Sequence, residues 1–273
     1  MAVLCRILEV SRSGYYGWVE RPESDRARRR RYLLEKIRQA HVGSREIYGS
    51  PRIHRELVAQ GERVGKNTVA RLMKRERIQS KVHRRFVVTT DSRRTKEPAP
   101  NLLNGSFRAE RLNEKWVSDV TFIPTRSGWL YLAAVMDLCS RRIVGWSMGE
   151  RNDVTLIADA LTMAVSDRES VTGVLLHSDQ GSIYAAASYQ QLLQELGIVC
   201  SMSRKGRCWD NAPMESFFHS LKTEWVGFED YQTRSEARSS IFSYLELFYN
   251  RRRRHSSLDY QNPMAFEEAM SAP

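Results

Sequence analysis

The sequence lacks any apolar run long enough to span a membrane as a helix. Its opening stretch, MAVLCRILEVSRSGYYGWVE, has no long apolar segment leading to a small-residue cleavage site, so no secretory signal is expected. Cysteine is scarce and scattered: Cys5, Cys139, Cys200 and Cys208 form no Cys-x-x-Cys pair. That spacing suggests neither a zinc site nor a disulfide framework, and a reducing cytoplasm fits it. Internal repeats and sustained heptads are also absent. Negative charge is short in one region only. Residues 1–100 carry 25 Lys+Arg against 11 Asp+Glu, whereas the rest of the chain carries 18 against 21.

What is present is a chain of 273 residues, 41% hydrophobic, which is enough for a packed core in one large or two smaller domains. The net charge of +11 is therefore a property of the N-terminal part. A basic module beside a near-neutral one points to a polyanion, most often nucleic acid. A solvated surface is the plainer reading, and an asymmetry of this size goes against it.

The N-terminal third reads as helical. Two short helices precede a longer one over DRARRRRYLLEKIRQAHVGS, with Leu33, Leu34 and Ile37 inward. Ile53, Leu57 and Val58 then make an apolar stripe ending at Gly61, a natural helix terminator. Val69, Leu72 and Met73 make another after a short turn. Two short helices joined in this way are a helix-turn-helix candidate. The second would present Lys66, Asn67, Arg71, Lys74 and Arg75 to phosphates and base edges. Residues 1–80 are assigned to this region, and the basic, aperiodic residues 81–112 to a linker.

From residue 113 the pattern changes. KWVSDVTFIPT alternates, and GWLYLAAVMDL and RRIVGWSMG follow closely as an antiparallel meander. A helix, the buried strand GVLLHSDQG, a further helix and the strand IVCSMSR complete five strands. The expected fold is a mixed α/β layer structure. Trp129, Tyr131 and Trp146 are expected in its core.

Three carboxylates in this part sit oddly. Asp119 lies inside a strand, where aspartate is disfavoured. Asp179 closes a buried strand, a usual place for chemistry in open sheets. Glu215 lies at the start of a helix whose apolar face is Met214, Phe217, Phe218, Leu221 and Trp225. A salt bridge, a turn hydrogen bond or a helix-dipole contact could explain each one singly. Three carboxylates from separate elements could also make a hard oxygen-ligand site for Mg²⁺. Asp210 and Asn211 are expected to cap the Glu215 helix. A fourth metal ligand at Asp210 is the weaker alternative. His177 either orients Asp179 or is a satisfied strand-end histidine.

The surrounding motifs carry a resemblance. WVSDVTFI, LLHSDQGSIY, SRKGRCWDNAPMESFFHSLKTE and YNRRRRHSSL together resemble the second-frame transposase of bacterial insertion sequences of the IS-three type. Thirty-five residues separate Asp179 from Glu215. The family's basic residue seven positions after the glutamate falls on Lys222. Its C-terminal pattern falls on Tyr249, Asn250, Arg253, His255 and Leu258, and YGSPRIHRELVAQG matches its helix-turn-helix region. Asp259 stands where a glycine is frequent, and Ser50 where an aromatic residue is.

The resemblance implies an RNase H-like core over 113–273. It implies Asp119, Asp179 and Glu215 as metal and catalytic residues for Mg²⁺, with Mn²⁺ as substitute and no zinc. Lys222 would contact terminal DNA, with Arg253 and His255 as further contacts. The implied activity is cleavage and strand transfer on transposon ends and target DNA. Implied partners are further copies of the chain on DNA and an upstream-frame protein, by fusion or binding, with no membrane. Two rivals are weaker: a non-catalytic helix-turn-helix regulator, and a tyrosine recombinase prompted by RRHSSLDY, where Leu258 replaces the required arginine.

Overall fold

A computed structural model describes residues 2–82, 99–204 and 208–271. The chain divides into two compact units, Met1–Lys81 and Val82–Pro273.

The first unit is helical. Helices α1 (Ala2–Ile7) and α2 (Arg12–Val19) are short, and among the described residues they bury only Cys5. Helix α3 (Asp25–Gly43) starts where Ser24 accepts the Ala27 N–H, an N-cap that satisfies an otherwise orphan donor. It buries Leu33, Ile37 and Ala40, while Leu34 is half-buried. Helices α4 (Ser50–Ala59) and α5 (Lys66–Arg75) pack on it through Ile53, Leu57, Val69, Leu72 and Met73. Val58, expected in the stripe, is 46% exposed. Gly61 adopts φ +86° just past α4, and the Glu62 N–H returns to the Leu57 carbonyl. A left-handed terminator of this kind suits glycine, which has no Cβ to clash.

The second unit is built on five strands: β1 (Lys115–Thr125), β2 (Gly128–Asp137), β3 (Ile143–Gly149), β4 (Leu175–Ser178) and β5 (Val199–Met202). Their order is β3-β2-β1-β4-β5. The first three form an antiparallel meander, and β4 and β5 add in parallel. Helices α6 (Val154–Ser166) and α7 (Ala187–Glu195) supply the crossovers. Alternation along the strands divides the buried residues between two faces. Trp116, Ala133, Val135 and Val144 pack with Ile157, Ala160 and Leu161 of α6. Gly145 lets α6 touch the sheet: a Cβ there would lie 2.2 Å from the Ala160 carbonyl oxygen. Toward the other face, Trp146 packs on Phe242 and donates to Glu246 at 2.7 Å.

After β5 come α8 (Ala212–Glu224), α9 (Arg234–Phe242), a π-helical stretch over Ser243–Tyr249 and α10 (Pro263–Ser271). Helix α8 packs against β1, and α9 against β1 and β2. Met214, Phe217, Phe218, Leu221 and Trp225 are all buried, as their spacing predicts.

Two features differ from the sequence expectation: the path of residues 100–103 and the burial of the aromatic set. Of the stretch expected as linker, residues 83–98 lie outside the described residues. Residues 100–103 run along β5 instead: Ser201 Oγ accepts the Leu102 N–H at 2.9 Å, and Leu103 is buried. Trp129, expected in the core, is 50% exposed because it stands at the turn end of β2, while Tyr131 and Trp146 are half-buried. No helix among the described residues is long and apolar enough to cross a membrane.

Candidate active site

Asp119 and Asp179 approach through strand register. In the parallel β1–β4 pair, Val117 lies opposite His177. Advancing two residues along both chains brings Asp119 and Asp179 alongside each other. Each binds one carboxylate oxygen to backbone at 2.8 Å, Asp119 to the Val120 N–H and Asp179 to the Gly181 N–H. A Cβ on Gly181 would sit 2.9 Å from the bound Asp179 oxygen, so a side chain there would press that carboxylate aside. Sequence reasoning missed this glycine, although Asp-Gln-Gly at a strand end is a visible turn signal.

Glu215 occupies the first turn of α8, following Pro213, and is exposed. Asp119 feels the charges of the other two acids. Burial, then the charge of Asp179, then that of Glu215, push the Asp119 carboxyl up to about 8, against the opposing pull of Lys222 and the Val120 N–H. Burial also raises Asp179, and partial desolvation at the foot of α8 raises the otherwise exposed Glu215. Carboxylates that resist ionising together are what a bound cation relieves. The donors are all hard oxygens, which suits Mg²⁺ or Mn²⁺. Among the described residues no three His, Cys, Asp or Glu side chains converge into a ready-made cage. The chemistry of the donor set suits a divalent cation, while its placement is not that of a closed cage.

Lys222 lies two turns beyond Glu215 on α8. Its Nζ stands 4.8 Å from the centroid of the Phe122 ring, a cation–π contact on β1. Burial lowers its pKa, and the nearby charge of Asp119 opposes that shift. Behind Asp119, the Ser118 hydroxyl bonds the buried Tyr184 hydroxyl at 3.0 Å. The Ser118 carbonyl accepts the Asn211 side-chain amide at 3.2 Å.

That last bond changes the role expected of Asn211. It occupies the N-cap position of α8, but its side chain makes no capping bond. Asp210 does not cap either: Arg204 binds it through both oxygens, and Asn101 donates to one at 2.7 Å. These contacts hold its pKa down at about 2, with the Arg204 hydrogen bond the largest cause. A carboxylate so engaged is poorly suited to a fourth metal bond. His177 is fully buried between Ser201 and Ser203, with its ring nitrogens 2.8 and 3.1 Å from their hydroxyl oxygens. Burial lowers its pKa to about 4, so it stays neutral and serves the β4–β5 packing.

The two C-terminal residues expected to contact DNA are engaged elsewhere. Arg253 is 6% exposed and grips Glu224 with two bonds of 2.7 Å. His255 packs edge-on to Tyr249 and stands 3.3 Å from an Arg253 nitrogen. Sequence reasoning missed Glu224, which completes the pair from the last turn of α8. In the first unit, Lys66, Asn67, Arg71, Lys74 and Arg75 are all exposed on α5, opposite its buried Val69, Leu72 and Met73. Arg75 is paired with Glu76 at 2.8 Å.

The chain is similar to known proteins along most of its length. Two family models described as Integrase core domain match residues 109–208 and 196–263, and one described as HTH-like domain matches residues 27–86. An "Insertion element IS600 uncharacterized 31 kDa protein" of Shigella sonnei is 44% identical, covering 97% of each chain. The "Transposase InsF for insertion sequence IS3A" of Escherichia coli (strain K12) is 41% identical over 97% of this chain and 92% of its own length. Among solved structures, the HTLV-2 integrase catalytic core domain in complex with magnesium aligns with a TM-score of 0.46 at 13% identity. That alignment covers 58% of this chain and 99% of the other.

Proposed function

Because the chain belongs to the transposases of IS3-type insertion sequences, we propose that it is a metal-dependent DNA strand transferase acting at the ends of such an element. The observation that carries this reading is the placement of Asp119 and Asp179 two residues beyond the paired Val117 and His177, with Glu215 opening α8 and Lys222 two turns further along it against Phe122 of β1. Those three acids would hold Mg²⁺, with Mn²⁺ as substitute. When bound, the metal would polarise the scissile phosphodiester and support the attacking and leaving oxygens.

The remaining work falls to the chain. Asp119 on β1 and Asp179 just past the end of β4 each have one oxygen steered by a backbone N–H. Glu215 closes the site from α8. Lys222, held over Phe122, neutralises a phosphate at the DNA terminus and positions the bond to be cut. The exposed face of α5 seats the duplex through Lys66, Asn67, Arg71 and Lys74, with Arg75 at its end. Water first hydrolyses one strand at the element end and frees a 3′-hydroxyl. That hydroxyl then attacks a target phosphodiester and displaces a second 3′-hydroxyl, so no protein–DNA bond is formed. The active assembly contains several copies on DNA and draws further contacts from an upstream-frame protein.

The test is incubation of labelled element-end duplex with the chain, alone and fused to the upstream frame, with and without Mg²⁺. Metal-dependent release of a 3′-hydroxyl end is expected. Binding without cleavage in either form would overturn the catalytic reading and favour a regulator.

A further inference from the structure

The Tyr249–His255 segment is better placed to hold the catalytic helix than to touch DNA. Its side chains engage α8 at successive turns. Tyr249 packs edge-on to Phe217, with ring centroids 4.8 Å apart, and Phe217 is two residues from Glu215. Arg253 bonds Ser220 at 3.1 Å and takes both oxygens of Glu224 at 2.7 Å. Ser220 and Glu224 flank Lys222 at two residues on either side. The same segment grips the sheet. Asn250 accepts the Ile143 N–H and donates to the Ile143 carbonyl, both at 3.0 Å, so its amide extends the edge of β3 as a further strand would. The Asn250 carbonyl in turn accepts the Met264 N–H at the start of α10.

We propose that Tyr249, Asn250 and Arg253 form a positioning clasp that fixes α8 against the sheet, setting where Glu215 and Lys222 stand relative to Asp119 and Asp179.

Two physical arguments support this. Burial of an ion pair adds little net stability, because desolvation offsets the attraction. A guanidinium and a carboxylate each 7% exposed therefore call for a reason other than stability, and a two-pronged bond fixes orientation as well as distance. Releasing Arg253 toward a phosphate would leave Glu224 buried and charged without its partner, which makes DNA contact by Arg253 unfavourable. The second argument concerns leverage. Glu215 is exposed, and α8 is a single thirteen-residue helix whose orientation is set by what touches it along its length. A small tilt moves the third carboxylate away from the aspartates, and misplacement by about 1 Å can cost about a hundredfold in rate.

The inference rests on the reading of Glu215 and Lys222 as site residues, and its test separates the two. The full chain, in whichever form cleaves end DNA, is compared with Arg253→Lys and with the double variant Glu224→Leu/Arg253→Met. The double variant replaces the ion pair with apolar side chains, an exchange that often keeps the fold intact. Thermal melting and end-DNA affinity are expected to stay near wild type in both. Single-turnover cleavage should fall about tenfold to a hundredfold in the double variant. The Mg²⁺ concentration giving half the maximal rate should rise. Arg253→Lys, which keeps charge and loses the fork, should fall between.

Wild-type rates and metal dependence in both variants would overturn the clasp while leaving the proposed activity standing. Loss of DNA affinity with unchanged cleavage at saturation would return Arg253 to the DNA interface. Should the double variant fail to fold, the Mg²⁺ dependence of Arg253→Lys decides alone. A wild-type chain that never cleaves overturns the functional reading itself.

Discussion

Asp179 stands beside Asp119 because the parallel pairing of Val117 with His177 carries both strands forward in step. The two acids therefore owe their proximity to sheet register, and the third arrives from a helix. Asp119→Asn, Asp179→Asn and Glu215→Gln are each expected to reduce cleavage to background. Each preserves shape and removes one negative ligand. End-DNA affinity should change little, as read by a mobility-shift titration run beside the cleavage assay. Cleavage near the wild-type rate in any of the three would remove that residue from the site.

Gly145 allows α6 to lie directly on β3, with the Ala160 carbonyl oxygen and the Ala164 nitrogen 2.2 and 2.6 Å from where a Cβ would be. Gly145→Ala should destabilise the second unit by about 3 kcal/mol, at the upper end of ordinary overpacking costs. Urea denaturation followed by tryptophan fluorescence would measure it. An unchanged midpoint would show that α6 shifts away at little cost.

The Arg204–Asp210 pair gives a pH dependence with a definite sign. Asp210 has a pKa of about 2 in the fold, below the ordinary aspartate value. The unfolded chain therefore binds more protons as pH falls through that interval. The stabilisation is complete above about pH 4 and is lost as pH falls toward 2. Asp210→Asn should cost about 1–2 kcal/mol at neutral pH, and its stability curve should converge with wild type in acid. A constant gap down to pH 2 would mean that the ion pair is not the source.

The positive excess lies in residues 1–100. Removing them should weaken duplex binding strongly and flatten the slope of log affinity against log salt, since each neutralised phosphate releases counterions. Arg71→Ala/Lys74→Ala should produce part of the same change. Lys222→Ala should leave bulk affinity and slope nearly intact while impairing end-specific cleavage. A truncated chain that keeps both affinity and slope would place the main DNA surface in the second unit.

Much of the architecture was legible from local patterns, because alternation and helical spacing report which side of an element meets the core. The apolar faces of α5 and α8 and the five strands all follow from that. The left-handed Gly61 was legible as a helix terminator for the same local reason. Asp259, where a glycine is frequent in the family, has φ +46°, a conformation that aspartate tolerates better than most residues.

What the sequence alone determined were the elements, whose apolar faces repeat along the chain, while the three acids proposed for the site were marked by the motifs around them. What only the tertiary structure decided was the use of each polar side chain. Arg253 reads as a free cation until Glu224, 29 residues earlier in the chain, is seen to take both its prongs. Asp210 reads as a cap until Arg204 and Asn101 are seen to occupy it. Trp129 reads as core until the strand is seen to end beside it. Hydrophobic burial follows a period along the chain, whereas ion pairs and hydrogen bonds depend on partners brought together by the fold, and no local pattern records them.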